Sequence, residues 1–92
     1  MGQVLWTESA LDELATLWLE ADSVRRQAIT AAQAQIDHLL ENSPEDVGES
    51  RPNQRRVAFV PPLGVVFSVE ESKEVAKVLR IWIIPGRSSA PQ

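Results

Sequence analysis

The sequence predicts an α+β fold in which an antiparallel two-helix hairpin packs on one face of an antiparallel sheet. A short N-terminal strand and three C-terminal strands make up that sheet. Apolar residues recur every three or four positions in the first half of the chain, as on a helix, and alternate in blocks rich in Val, Ile and Phe in the last third. Because 92 residues with 43% hydrophobic side chains can bury one core, we expect a single domain over residues 1–84 and a flexible tail over 85–92.

The N-terminal region predicts a short strand and a first helix. Val4 and Trp6 take alternate positions in the strand, and Thr7 is a suitable N-cap for the helix that follows. The helix carries an apolar stripe at helical spacing, formed by Leu11, Leu14, Ala15 and Trp18. Since Leu17 and Leu19 widen that stripe, we expect neighbours to cover this helix on more than one side.

A second helix is predicted over residues 24–40. Small and capping residues at 20–23 separate it from the first helix, and so short a connection favours an antiparallel hairpin. Pro44 disfavours helical geometry at the residue before it, which ends the helix. Residues 44–54 contain two prolines, one glycine and a single apolar side chain, so we expect a loop there.

Three strands are predicted at residues 55–60, 65–69 and 75–84. A type I turn fits Pro61-Pro62-Leu63-Gly64, and residues 70–74 form a polar second turn. Strand alternation predicts that one side of the sheet faces the helices through Val57, Phe59, Val65, Phe67, Val69, Leu79, Ile81 and Ile83. The opposite side would carry Arg56, Ala58, Val60, Val66, Ser68, Glu70, Val78, Arg80, Trp82 and Ile84. No predicted element covers that mixed apolar and basic side, so we expect a partner to bind it through Val66, Val78 and Trp82.

The chain offers few groups for catalysis or metal binding. It has no cysteine, and its single histidine, His38, lies in a predicted helix without the further ligands that zinc needs. The four glycines occur singly, which argues against a phosphate-binding loop, so we expect neither a metal nor a cofactor. No apolar run approaches the length of a membrane span and no export signal is recognised, so we expect the cytoplasm and no membrane partner.

Charge is distributed unevenly along a chain whose net charge is −4. Ten of the 13 acidic residues lie in residues 1–49 with only two arginines, whereas residues 50–92 hold seven basic and three acidic side chains. Such asymmetry between halves indicates a local surface for a polyanion, although charges on edge strands also serve only to keep a sheet soluble.

Arginines on the predicted sheet are the main candidates for a binding site. A guanidinium stays charged and matches phosphate oxygens with two donors, so Arg56 and Arg80 on one face would form a phosphate clamp beside Arg55. Trp82 follows Arg80 on the same predicted face, where an indole can stack an unpaired base. The alternatives that stay open are protein contact or ordinary packing for Trp82, and salt bridges from the arginines to Glu70 or other acids.

Four stretches carry a resemblance to a known family, namely residues 4–14, 48–50, 56–69 and 78–82. In this order and spacing they resemble the RelE/ParE superfamily of bacterial toxins from type II toxin–antitoxin systems, over positions 3–84. The resemblance implies a strand, two helices and an antiparallel hairpin sheet, as the periodicity does. It also implies a cognate antitoxin that masks the open side of the sheet.

The superfamily divides by target. Members similar to RelE cleave messenger RNA in the ribosomal A site, with basic residues on the open sheet face and a Tyr or His near the end of the last strand. Members similar to ParE poison DNA gyrase and need no nuclease site. This chain has no tyrosine, and its histidine lies in the second predicted helix, so the resemblance carries over only to Arg56 and Arg80 as phosphate contacts in catalysis.

Two hypotheses about activity therefore stay open. The first is a ribosome-dependent mRNA endonuclease that uses Arg56, Arg80 and Arg55 on RNA. Proton transfer typically contributes about 10²–10⁴-fold to such a reaction, so the missing proton donor and acceptor predict weak or absent catalysis. The second is a non-enzymatic inhibitor of gyrase, or a catalytically degenerate protein that binds only its antitoxin.

Overall fold

The computed structural model describes residues 2–70 and 74–85. Strand β1 (Gln3–Trp6) leads into helices α1 (Glu8–Leu19) and α2 (Ser23–Asn42), and a short 3-10 turn over Pro44–Asp46 follows. The remaining strands are β2 (Glu49–Arg51), β3 (Arg55–Val60), β4 (Leu63–Val69) and β5 (Val75–Ile83). The predicted tail from residue 86 and the centre of the predicted second turn lie outside the described residues.

The five strands form one mixed sheet in the order β1-β5-β4-β3-β2. Strand β1 pairs with β5 in parallel, and the other neighbours are antiparallel. The α+β class and the packing of two helices on the sheet are confirmed. The prediction of a purely antiparallel sheet is wrong, because β1 pairs in parallel with β5 at one end of the sheet.

Strand β2 replaces part of the loop predicted over residues 44–54. Its three residues are all exposed at the sheet edge, so no alternation of apolar residues marks it in the sequence. Asn53 and Gln54 adopt positive φ values of 66° and 64° in the turn that joins β2 to β3. The predicted four-residue turn after β3 is also shorter, since Val60 pairs with Leu63 around Pro61 and Pro62, whose peptide bond is cis.

Side-chain hydrogen bonds cap the start of each helix and the end of α1. Thr7 caps α1 as predicted, because its hydroxyl accepts a hydrogen bond from the Ala10 amide at 3.1 Å. Asp22 caps α2 in the same way through the Arg25 amide at 2.8 Å. At the other end of α1, the Arg26 guanidinium donates to the carbonyl oxygens of Trp18 and Leu19 at 2.8 and 3.1 Å, which satisfies acceptors that the helix leaves free.

The core lies between the helices and one face of the sheet. Helix α2 contributes Ile29, Ala32, Ile36 and Leu40, and α1 contributes Ala10 and Leu14. The sheet contributes Ala58, Val60, Leu63, Val65, Phe67, Ala76, Val78 and Ile81. Among the described residues, neither helix combines the length and the apolar character needed to cross a membrane.

The predicted sides of the sheet are correct for β4, wrong throughout β3 and wrong for part of β5. In β3, Ala58 and Val60 are buried while Phe59 is 62% exposed, the reverse of the prediction. Apolar residues occupy consecutive positions there, so alternation fits either side equally well. In β5, Val78 pairs with Phe67 of β4, and Arg80 pairs with the adjacent β4 residue, Val66. Leu79 is therefore an unpaired bulge residue, and it reverses the alternation of sides along β5.

Candidate interaction surface on the open sheet face

The side of the sheet opposite the helices is called the open face here. Because directly paired residues on neighbouring strands point to the same side, the register defines its members. Four pairings place the central ones together, since Val57 pairs with Val66, and Val66 with Arg80, while Gly64 pairs with both Phe59 and Trp82. The members on β3, β4 and β5 are Arg55, Val57, Phe59, Gly64, Val66, Ser68, Lys77, Arg80 and Trp82.

An aromatic pair forms the apolar part of the open face. Trp82 lies directly over Gly64, where an added Cβ would collide with the indole ring. Phe59 meets this indole edge to face, with ring centroids 6.2 Å apart and planes at 86°. The missing side chain at Gly64 thus lets the indole lie against the strand, and the exposed Phe59 ring extends the apolar surface outward. Exposed aromatic pairs of this kind are typical anchors of protein interfaces.

Arg80 is held by a carboxylate from α1. Its Nε donates to Glu13 Oε2 at 2.9 Å, and the Ile81 amide donates to Glu13 Oε1 at 2.9 Å. Glu13 therefore covers part of the β5 edge beyond β1 and neutralises the guanidinium at the same time. The predicted alternative of a salt bridge applies to Arg80, although its partner is Glu13 and not Glu70.

Other cations on this side of the sheet also have acidic neighbours. Lys77 Nζ lies 3.9 Å from Glu70 Oε2, and Arg51 Nη2 lies 3.1 Å from Glu49 Oε1. Arg55 is exposed, and among the described residues it has no ion pair or side-chain hydrogen bond. The positive charge that the sequence places on the sheet is thus largely compensated within the chain.

Arg56 does not belong to the open face. It pairs with Phe67, whose side chain is fully buried on the helix side. Its guanidinium donates to the carbonyl oxygens of Val47 and Gly48 at 2.8 and 3.0 Å, which fastens the segment before β2. The predicted phosphate clamp is therefore wrong, because Arg56 and Arg80 lie on opposite sides of the sheet.

Val78 is also placed on the wrong side by the sequence. Its side chain is 0% exposed in the core, so it cannot contact a partner as predicted. Val66 and Trp82 do reach the open face and are half-buried. Sequence reasoning missed Phe59 and Glu13 as members of this surface. The one available signal was Gly64 at the edge of a predicted strand, because a strand glycine indicates the close approach of another group.

The open face is suited to binding more than to proton transfer. His38 lies exposed on α2, where its ring approaches Asn42 within the helix. No cluster of metal ligands occurs among the residues that the structure describes. The acids beside the open face, Glu13 and Glu70, are both paired with cations.

A family model for the ParE toxin of type II toxin–antitoxin systems, parDE, matches residues 4–83. The chain belongs to the ParE toxin family. No curated protein matches it in sequence.

Solved structures share the fold of this ParE-family chain at low sequence identity. The chromosomal ParDE system from P. aeruginosa aligns with a TM-score of 0.72 and 18% identity, over 92% of this chain and 98% of that chain. The RelBE2 toxin–antitoxin complex from Mycobacterium tuberculosis gives 0.70 and 15%, over 89% and 90%. The isolated E. coli RelE toxin gives 0.62 and 17%, over 94% and 87%. Identities this low support a common fold and leave the activity to be argued from this chain's own residues.

Proposed function

We propose that this ParE-family toxin acts by binding DNA gyrase and does not cleave RNA. The observation that carries the proposal is the Arg80 guanidinium, whose Nε donates to Glu13 Oε2 while the other oxygen of that carboxylate accepts from the Ile81 amide. A phosphate at the Nε edge of Arg80 would compete with that carboxylate and be repelled by its charge. The Arg56 guanidinium is turned to the other side and donates to two backbone carbonyls.

The chemistry of RNA cleavage supports the same proposal. Attack by a ribose 2′-hydroxyl requires a proton acceptor, a proton donor and stabilisation of the developing charge. The chain has no tyrosine, its histidine lies on α2, and Glu70 is paired with Lys77. Among the described residues, the carboxylates at the open face, Glu13, Glu49 and Glu70, each lie beside a cation, so none stands free as a proton acceptor.

We propose that a cognate antitoxin silences the toxin by covering the open face in the cytoplasm. Phe59, Trp82 and Val66 present a connected apolar surface that a monomer would otherwise leave in water. The similar structures from P. aeruginosa and M. tuberculosis are of toxin–antitoxin systems, which supports a partner of this class.

Two assays on the purified full chain separate binding from cleavage. We expect inhibition of DNA supercoiling by gyrase, with intact mRNA after incubation with translating ribosomes. Addition of the antitoxin should restore supercoiling. Cleavage of mRNA at the ribosome with unaffected gyrase would overturn the proposal in favour of the endonuclease hypothesis.

A further inference from the structure

Helix α1 has an apolar surface that no part of the described chain covers. Leu11, Trp18 and Leu19 are 48%, 40% and 68% exposed, and Ala15 is exposed between them. These four residues are called the α1 stripe. A groove of about 400 Å³ runs along the stripe, bounded on the other side by Gln33 of α2. The predicted cover on this side of α1 is therefore absent within the described chain, although the opposite side does pack on the sheet.

The surroundings of the α1 stripe favour a protein partner. The neighbouring stretch of α2, residues 27–36, contains no charged side chain. The cation beside the stripe, Arg26, already donates to two carbonyl oxygens of α1, so a nucleic acid or an anionic membrane would find little positive charge along this length of the hairpin. An apolar helix face beside a groove is the usual form of a helix-packing interface.

The α1 stripe has a spacing that allows it to pack against itself. Leu11 and Leu19 each lie four residues from Ala15, so a two-fold axis at Ala15 would bring Leu11 of one chain against Leu19 of the other. Alanine at the crossing point lets two helix axes approach closely. Such an isologous contact uses the same surface on both chains and closes as a dimer.

Charges match in the same arrangement. Asp12 and Trp18 each lie three residues from Ala15, so the axis also places Asp12 of one chain beside Trp18 of the other. The Arg26 guanidinium lies over the Trp18 ring at 4.3 Å from its centroid, and its Nε and Nη2 donate to α1 carbonyls, which leaves Nη1 without a hydrogen bond among the described residues. Asp12 is exposed and has no ion pair among the described residues. Two symmetric Asp12–Arg26 pairs would therefore form across the axis, while Glu8 would lie at the solvated rim.

We propose that the α1 stripe is the interface of a homodimer with antiparallel α1 helices crossing at Ala15. This inference goes beyond the proposed function, because neither gyrase binding nor antitoxin binding requires it. Its tests read the state of association and are independent of toxicity.

Sedimentation of the purified full chain across the micromolar range tests the dimer. We expect a monomer–dimer equilibrium that Leu19→Glu weakens by at least about tenfold, since it places a charge in the apolar contact. Val24→Glu is the matched control, because Val24 is 76% exposed on the same hairpin but lies off the α1 stripe. A monomer at all concentrations, or equal effects of the two variants, would overturn the proposal.

Cysteine cross-linking tests the position of the axis in a chain that has no cysteine of its own. A disulfide needs Cα atoms about 4.4–6.8 Å apart, which helices crossing at residue 15 provide. Mild oxidation should link Ala15→Cys chains into dimers and leave Leu11→Cys chains unlinked, while the Leu11→Cys/Leu19→Cys double variant links. Efficient linking of Leu11→Cys alone, or protection of the Ala15→Cys thiol only after antitoxin is added, would contradict this interface.

Discussion

The carboxylate of Glu13 is shared between the Arg80 guanidinium and the Ile81 amide, although Glu13 and Arg80 lie 67 positions apart in the chain. An exposed ion pair alone contributes little to stability. The bond to the strand amide changes that balance, because Ile81 is buried and its N–H otherwise lacks a protein acceptor at this edge. One acid thereby sets both the packing of α1 on β5 and the charge of the open face.

Replacement of Glu13 by alanine should lower stability and raise affinity for polyanions. Loss of the acceptor for the Ile81 amide should reduce the free energy of unfolding by about 1–3 kcal/mol. The freed Arg80 should also increase salt-sensitive binding of single-stranded RNA. Denaturant unfolding and filter binding measure the two effects. Asp12→Ala removes the same charge from the next position, and equal RNA binding by both variants would argue against a specific role of Glu13.

Gly64 provides a second test at single-residue scale. In Gly64→Ala the new methyl group should displace the Trp82 indole, because the ring occupies that space. We expect a loss of about 1–3 kcal/mol in stability, as for other overpacked sites, and an altered tryptophan emission spectrum. Ser68→Ala on the same strand and face is the control. An unchanged stability and spectrum in Gly64→Ala would show that the indole does not rest on this strand.

At the scale of elements, a helix or strand is predictable when the spacing of its apolar residues shows which side is buried. The helices are predictable because apolar spacing and the Thr7 cap agree. Strand β2 is not, because all three of its residues are exposed. The orientation of β3 is ambiguous, because apolar residues fill 57–60 without a break. The bulge at Leu79 cannot be read from β5, where adjacent apolar residues hide the change of alternation.

The hydrogen bonds of Arg56, which the sequence analysis put on the wrong side of the sheet, predict an effect on the stability of strand β2. Arg56→Ala should release the carbonyls of Val47 and Gly48 and loosen β2 from the sheet, since two hydrogen bonds to the segment before it are lost. Hydrogen exchange of the β2 amides should become faster. Arg55→Ala removes an adjacent exposed arginine and should leave exchange unchanged. Faster exchange in Arg55→Ala, with none in Arg56→Ala, would contradict the observed bonds.

For the whole molecule, the fold brings one acid of the first helix to an arginine of the last strand, while the other ion pairs of the sheet join residues that are close in sequence. The α1 acid Glu13 reaches Arg80 on β5, and acids beside the sheet pair with Lys77 and Arg51. The sequence thus correctly places basic residues on the sheet but overstates the charge that they present. The Glu13–Arg80 pair depends on a contact between distant elements, which composition does not reveal.

Binding of the antitoxin should depend on the aromatic pair of the open face. Phe59→Asp should weaken binding by at least about thirtyfold, since charge would enter the centre of an apolar contact. Val24→Asp changes a residue of similar exposure on the helical hairpin and should bind normally. Isothermal titration calorimetry with the purified antitoxin measures both. Full affinity in Phe59→Asp would show that the antitoxin binds to a surface other than the open face.

The bulge at Leu79 has a consequence for how this strand tolerates changes in length. Ala76 and Val78 before it and Ile81 after it all point into the core, because one unpaired residue restores the phase between them. Deletion of that single residue would leave Val78 and Arg80 adjacent, as their partners Phe67 and Val66 on β4 already are, so Ile81 would stay in the core and the Arg80 guanidinium on the open face. The strand should therefore accept many different residues at position 79 and also the loss of that position, whereas the loss of one residue more would turn Ile81 towards water.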